Sequence, residues 1–231
     1  MKKISISQSN YIPWKGYFDG IKSVDEFVFY DDMQYTKRDW RNRNKIKTAN
    51  GIQWLTIPVE VKGKFFQKIN ETKISHKSWN TEHWNVIKYN YGKAPFFKDY
   101  KEFFEELYLN CNEEYLSQVN YRFIKAICTL LDITTNLKWS GEFELRGDKS
   151  EKLLNICLDS SASEYYSGPA AKNYLDVNLF NSKGVAVAWF DYSGYKEYHQ
   201  FYPPFEHGVS IIDIIFNTGP QIKDYMTQPS K

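Results

Sequence analysis

The run from Asp31 to Lys47, DDMQYTKRDWRNRNKIK, sets two adjacent carboxylates beside six cationic side chains, with Tyr35 and Trp40 between them. Asp31 and Asp32 are of the type that takes a proton from an attacking amine or holds Mg²⁺. Arg38, Arg41 and Arg43 present planar guanidinium forks to phosphate, and Tyr35 or Trp40 can stack on a base or a sugar. Gln34, Asn42 and Asn44 add neutral donors and acceptors. A plain solvated charge run seldom interleaves such residues, so the segment has the composition of a site for a nucleotide-containing ligand. Paired aspartates also cap helices and turns, and a basic run is commonly surface, so each residue has a structural reading beside the chemical one.

Two further constellations carry chemistry. In SISQSNYIPWKGYFDG a strand passes through a loop into a helix whose free N–H groups and positive dipole end face whatever lies over the loop. Gln8, Asn10, Tyr11 and Trp14 lie at that mouth; Gly16 would allow close backbone approach to a phosphate, and Lys15 would add a charge. The competing reading is an ordinary β–α turn with Trp14, Tyr17 and Phe18 in the core. In YYSGPAAKNYLD, Ser167 and Gly168 precede a proline at a helix start, with Lys172 one turn in, again suited to an anion. The four histidines form no HxxxH or HExxH pattern and Ser167 lacks a GxSxG context, which disfavours metal hydrolysis and serine acyl-enzyme chemistry. No metal ligands are assigned.

These residues need a scaffold. The alternating KISISQ at 3–8 and the β-prone EFVFY at 26–30 read as strands flanking a helix at 16–24. A third early strand is expected at 53–59 (QWLTIPV). Residues 79–91, 95–110 and 113–131 repeat apolar residues at intervals of three and four and read as helices. Strands at 137–140, 164–166 and 184–190, separated by helices at 149–158 and 170–180, return the pattern to β-α-β. The expected fold is α/β: one domain over 1–231 with a mainly parallel, Rossmann-like sheet and a helical insertion over about 78–132, its ligand at the strand ends near a topological switch. GVSIIDIIFNTGP reads as a buried closing helix in which Asp213 and Asn217 need partners, and the tail from Thr218 as the segment prone to fray.

Thirty basic against twenty-eight acidic residues give a net charge of +2. That balance argues against a general polyanion binder and leaves phosphate affinity to local clusters. Cys111, Cys128 and Cys157 form no close CxxC pair and read as buried small hydrophobes of a reducing compartment. The N-terminus has no apolar run of signal-peptide length, and no stretch approaches the 18 apolar residues of a membrane span, so the expectation is a cytoplasmic protein without membrane insertion.

SQSNYIPWKGYFDGI, DEFVFYDDMQYTKRDWRNRNKIKT, WLTIPV, EYYSGPAAKNYLD and SIIDIIFNTGP resemble, in order and over nearly the whole chain, the signature blocks of the WbqC-like family of bacterial proteins. Two positions depart: Ser9 stands where the family's QPNYIPW has proline, and Lys15 where an apolar residue is common. The resemblance implies a place in O-antigen or other surface-polysaccharide biosynthesis, as a transferase that acylates or aminoacylates, for example with glycyl, the amine of a nucleotide-linked amino-dideoxy sugar. Under it Asp31 or Asp32 serves as the base; the arginines hold a diphosphate or tRNA end; Gln8, Asn10 and Tyr11 orient the acceptor; and the donor is an aminoacyl-tRNA or an amino acid activated with ATP and Mg²⁺. Two other functions use the same pieces: an ATP-dependent nucleotidyl-transfer or ligase-type enzyme, by fold analogy from the N-terminal β–α loop and the Lys149–Ser150 pair, though PWKG stands where an HxGH pair would be; and a non-catalytic module binding tRNA or a nucleotide sugar.

Overall fold

The computed structural model describes residues 1–226. Its strands are β1 (Lys3–Ser7), β2 (Glu26–Phe29), β3 (Arg43–Thr48), β4 (Gly51–Thr56), β5 (Asn136–Trp139), β6 (Glu164–Ser167) and β7 (Ala186–Trp189). Its α-helices are α1 (Lys15–Lys22), α2 (Trp79–Tyr91), α3 (Phe97–Leu109), α4 (Leu116–Leu130), α5 (Lys149–Asp159), α6 (Val177–Ser182) and α7 (Ile211–Thr218).

Five strands form one parallel sheet in the order β5-β2-β1-β6-β7. The first three strands of the sheet grow outward from β1; the chain then returns across β1 and adds β6 and β7 on its other side. That reversal leaves a crevice at the carboxyl ends of β1 and β6, where neighbouring loops part in opposite directions. Ser5 lies opposite Tyr166 of β6, and the ladder runs on past the strand ends, with Tyr30 N–H donating to Ser7 O at 2.9 Å and Phe190 N–H to Ser167 O at 2.9 Å. Buried on both faces, the central strands are apolar at neighbouring positions: Phe27, Val28 and Phe29 are all interior.

Each face has its own core. One packs Phe18, Phe27, Phe29, Trp84, Tyr91, Phe104, Phe123 and Phe216 under α1, the α2–α4 insertion and α7. The other joins Ile4, Ile6, Val28 and Tyr165 to Leu154, Ile156 and Phe180 of α5 and α6. In α4, Leu116, Val119, Asn120, Phe123, Ile124, Ile127 and Cys128 recur at three and four residues and are all buried. Phe123→Ala would leave a void costing about 3–5 kcal/mol. Asn120 and Ser117 are the buried polar residues of α4, Asn120 donating to Ser9 Oγ and to Arg41 O, both at 2.9 Å.

Several expectations shift. The end of the basic run is itself a strand, β3, and pairs antiparallel with β4, so the segment 53–59 belongs to a separate hairpin rather than to the parallel sheet. Alternation hid this strand: Asn44 and Ile46 face in while Arg43 and Lys45 face out. The helix expected at 170–180 divides into a 3-10 helix at Pro169–Asn173 and α6, which Asp176 caps by accepting from Leu179 N–H at 3.1 Å. Gly219–Tyr225 is a 3-10 helix that buries Ile222, whereas the rest of the expected frayed tail, 227–231, lies outside the described residues. Asp213 and Asn217 do find partners: Asp213 accepts from Tyr91 and Tyr198 Oη, each at 2.7 Å, and Asn217 donates to Asp213 O at 2.7 Å.

Candidate functional site

A cavity of about 760 Å³ occupies the crevice at the carboxyl ends of β1 and β6. That volume suits a small-molecule ligand. Ser7 and Gln8 enter it from β1, Ser167 and Gly168 from β6, and Tyr17 and Gly20 from α1. Lys149 and Lys152 come from the first turn of α5, Arg41 from the stretch before β3, and Phe190 and Tyr192 from the segment after β7. Tyr30, Met33, Tyr165 and Tyr174 complete the aromatic and apolar part of the wall. No aspartate or glutamate is among the lining residues.

The position of Lys149 and Lys152 has a local cause. Asp148 accepts from Ser150 and Glu151 N–H at 2.9 and 3.0 Å, and Glu151 Oε2 accepts from Asp148 N–H at 2.8 Å, a capping box that starts α5 at the sheet's carboxyl edge. Cations in a first helical turn oppose the helix dipole. Two of them there are unfavourable for the helix and favourable for an anion in the cavity.

Arg41 is the inner cation, its side chain 12% exposed. Its nearest carboxylate is Asp39 at 3.9 Å, and Nε is buried with no hydrogen-bond partner among the described residues. Burial lowers its pKa against the opposing pull of Asp39, Tyr17 and Asp31. Tyr17 Oη donates to Gln8 O at 3.0 Å. Burial pushes the Tyr17 and Tyr30 phenols above their ordinary range, and Tyr192 up to about 12. These phenols are therefore neutral donors at physiological pH. Cations, neutral hydroxyls and aromatic faces without a carboxylate form a site for an anionic ligand with a ring to stack.

Of the residues expected to bind substrate, Gln8, Arg41, Ser167 and Gly168 meet in this cavity. Asp31 lies behind it, 1% exposed, accepting from Ser9 N–H at 2.8 Å, Ser9 Oγ at 2.6 Å and Ser117 Oγ. Burial holds its carboxyl above the usual carboxylate range despite those donors and Arg41. Asp32 accepts from Ser140 Oγ at 2.6 Å and is near Lys68 and Asn70 at 3.4 and 3.3 Å. Tyr11 is core, its hydroxyl 2.8 Å from both His83 Nδ1 and Tyr108 Oη, and burial lowers the His83 pKa to about 4. Asn10 is half-buried beside it, with Oδ1 unpartnered among the described residues. Trp14 lies against Gly16, where a Cβ would come within 2.4 Å of the indole; the glycine admits a ring rather than a phosphate. Lys15 is buried under Tyr195 and Tyr198, 4.5 and 5.5 Å from their ring centroids, and burial lowers its pKa to about 8.

The rest of the basic run goes elsewhere. Gln34 donates to Phe65 O at 2.8 Å, Tyr35 is buried, and Asn42 donates to Ile57 O at 2.8 Å. Trp40 and Arg43 gather on the outer face of the β3–β4 hairpin with Lys45 and Trp54, Arg38 is exposed with its carbonyl accepting from Arg43 Nη2, and Lys172 sits 5.6 Å from the Trp189 ring. Sequence reasoning missed Tyr17, Lys152, Tyr174 and Tyr192, and singled out Lys149 only beside Ser150, for the ATP-using alternative. The findable signal was the DKSE capping box with lysines in its first turn; nothing local joins it to Arg41.

Among the described residues no group of three or more His, Cys, Asp or Glu side chains is placed to hold a metal ion, and no helix is long and apolar enough to cross a membrane. No solved structure matches the chain. It is 50% identical over 226 residues to the uncharacterized protein Rv1507c of Mycobacterium tuberculosis, an alignment covering 98% of each chain. The model of the WbqC-like protein family matches residues 8–225. The chain belongs to the WbqC-like protein family.

Proposed function

Taking that membership as the premise, we propose that the cavity binds a nucleotide-linked amino sugar and that the protein transfers an acyl or aminoacyl group, such as glycyl, to the sugar's amine, in the assembly of a surface polysaccharide such as O-antigen. The observation that carries this reading is the cavity wall: three cations from two distant parts of the chain, several neutral phenols and no carboxylate. Arg41, Lys149 and Lys152 neutralise the diphosphate, Arg41 through its planar fork. Tyr192 and Phe190 offer the base a stacking face.

The same wall acts on the nucleophile. Nearby cations disfavour an ammonium, so a bound sugar amine has its pKa lowered and is held as the free base. Its lone pair attacks the acyl carbonyl, the C–N bond forms, the bond to the donor's leaving group breaks, and the nitrogen sheds one proton. Asp32, whose charge reaches the wall residue Tyr30, is assigned as the acceptor for that proton. Asp31 positions Arg41 and Tyr17 from behind, acting on both through its charge.

Calorimetric titration with nucleotide-diphospho-amino sugars, the matching sugar 1-phosphates and ATP tests the reading. Saturable binding of the intact nucleotide sugar, weakened at least about tenfold in Lys149→Ala/Lys152→Ala, is the expected result, each hydrogen bond to a charged group being worth about 1.5–3 kcal/mol. ATP binding coupled to pyrophosphate release, with no response to the sugar nucleotide, would replace it with nucleotidyl transfer.

A further inference from the structure

The cavity leaves most of the basic run unexplained. Trp40 and Trp54 are 39% and 38% exposed, their ring centroids 5.3 Å apart with planes inclined at 40°. The Arg43 guanidinium lies over Trp54 at 4.1 Å, and Lys45 Nζ is 5.7 and 5.6 Å from the Trp40 and Trp54 centroids. Lys45 and Trp54 are opposed across the hairpin. Arg38, at a positive φ of 60°, is fixed by its carbonyl, which accepts from Arg43 Nη2. Among the described residues Lys37, Arg38, Arg43 and Lys45 form no ion pair, and the buried Arg43 Nε has no hydrogen-bond partner. Asp39, the single acid of the run, is already engaged by Thr36 Oγ1 and Trp40 N–H, each at 2.7 Å.

Two adjoining indoles, each more than a third exposed, keep apolar ring surface in water, and the Arg43 and Lys45 cations lying against them without an acid partner repel one another. Both costs vanish against one kind of partner. We propose that the outer face of the β3–β4 hairpin is a platform for single-stranded nucleic acid, with bases stacking on Trp40 and Trp54 and phosphates meeting Lys37, Arg38, Arg43 and Lys45. Stacking on an aromatic face needs unpaired bases, which excludes a duplex. A flat pair of rings carries no base-edge donors in fixed array, so the platform is tolerant of sequence. The small net charge restricts the interaction to this face. The inference stands apart from what fills the cavity.

The test is fluorescence anisotropy of the full-length protein with a fluorescein-labelled single-stranded oligoribonucleotide and with the same strand in a duplex. The expected result is saturable binding that prefers the single strand at least about tenfold and falls with salt at a log–log slope of about −3, the release expected for four phosphate contacts on a single strand. Trp54→Ala weakens it about tenfold and Trp40→Ala/Trp54→Ala further, Trp54→Phe restores most of it, and Lys45→Glu weakens it at unchanged melting temperature. Nucleotide-sugar binding is unchanged in all four variants, which separates this result from that of the cavity. Equal affinity for the duplex, or binding indifferent to both tryptophans, overturns the proposal. Concentration-dependent self-association abolished by Trp54→Ala overturns it in favour of a second copy of the chain on this face.

Discussion

The cavity and the hairpin face are both built from arginine, lysine and aromatic rings, yet the ligands proposed for them call on different physics. The cavity draws its cations from Arg41 and from α5, more than a hundred residues apart, and closes them round a volume of about 760 Å³. The hairpin takes Trp40, Arg43 and Lys45 from one stretch and Trp54 from the strand beside it, and leaves them on an outer face open to solvent. Charge is screened on the surface and much less in the crevice. Concavity therefore suits the shape and charge of one small ligand, and an open face a repeating, flexible polyanion.

The largest effect on both regions comes from the fold that carries them, through the buried acceptor behind the cavity. Asp31→Ala strips three donors of their acceptor, each unsatisfied buried group costing about 1–3 kcal/mol. Denaturant unfolding should show at least about 3 kcal/mol of lost stability, with both binding activities falling together. A variant that stays as stable as the parent but loses turnover would make Asp31 an acid–base group instead. Next, Arg41→Ala should weaken nucleotide-sugar binding about 10–100-fold and leave oligonucleotide binding within twofold; equal losses would merge the two regions into one site. Salt gives a milder separation: raising it should weaken oligonucleotide binding steeply and the nucleotide sugar several-fold less.

The smallest effect concerns Lys15, packed under Tyr195 and Tyr198 outside both regions. Burial lowers its pKa to about 8 from an ordinary 10.5. Between those values the unfolded chain binds a proton that the folded one does not, so this group's contribution to stability rises as pH climbs from about 8 toward 10.5 and is least favourable below 8. Lys15→Met should make the slope of melting temperature against pH less positive from about 8 upward, over a range in which the three buried thiols, raised from an ordinary 9, pull stability the other way in parent and variant alike. Identical slopes in parent and variant would show Lys15 to be solvated.

Periodicity and strand-like runs sufficed for the α/β sheet and the helical insertion, because Phe27–Phe29 and the α4 stripe each state their burial locally. β3 escaped notice because its outward residues are all cationic, so a strand read as a charge run. In the site, Gln8, Ser167 and Gly168 could be picked out because strand ends in a parallel sheet meet at one edge, and Arg41 because it belongs to the basic run. Lys152 and Tyr192 could not, nor could Lys149 be joined to Arg41, since their approach depends on how far α5 and the segment after β7 lean over the crevice. Tyr11 and Trp14 misled for the opposite reason: a polar or aromatic residue in a β–α loop is as useful to the core as to a ligand. Tyr11 turns its hydroxyl to His83 and Tyr108.

Trp40 and Arg41 are consecutive, and their side chains serve opposite regions. Trp40 O accepts from Tyr11 N–H at 3.0 Å and Arg41 O from Asn120 at 2.9 Å, so both carbonyls flanking their junction are bolted to rigid elements. The junction works as an insulator. A ligand that pulls on the guanidinium has no slack through which to tilt the indole, and occupancy on one side should go unregistered on the other, its free energies simply adding.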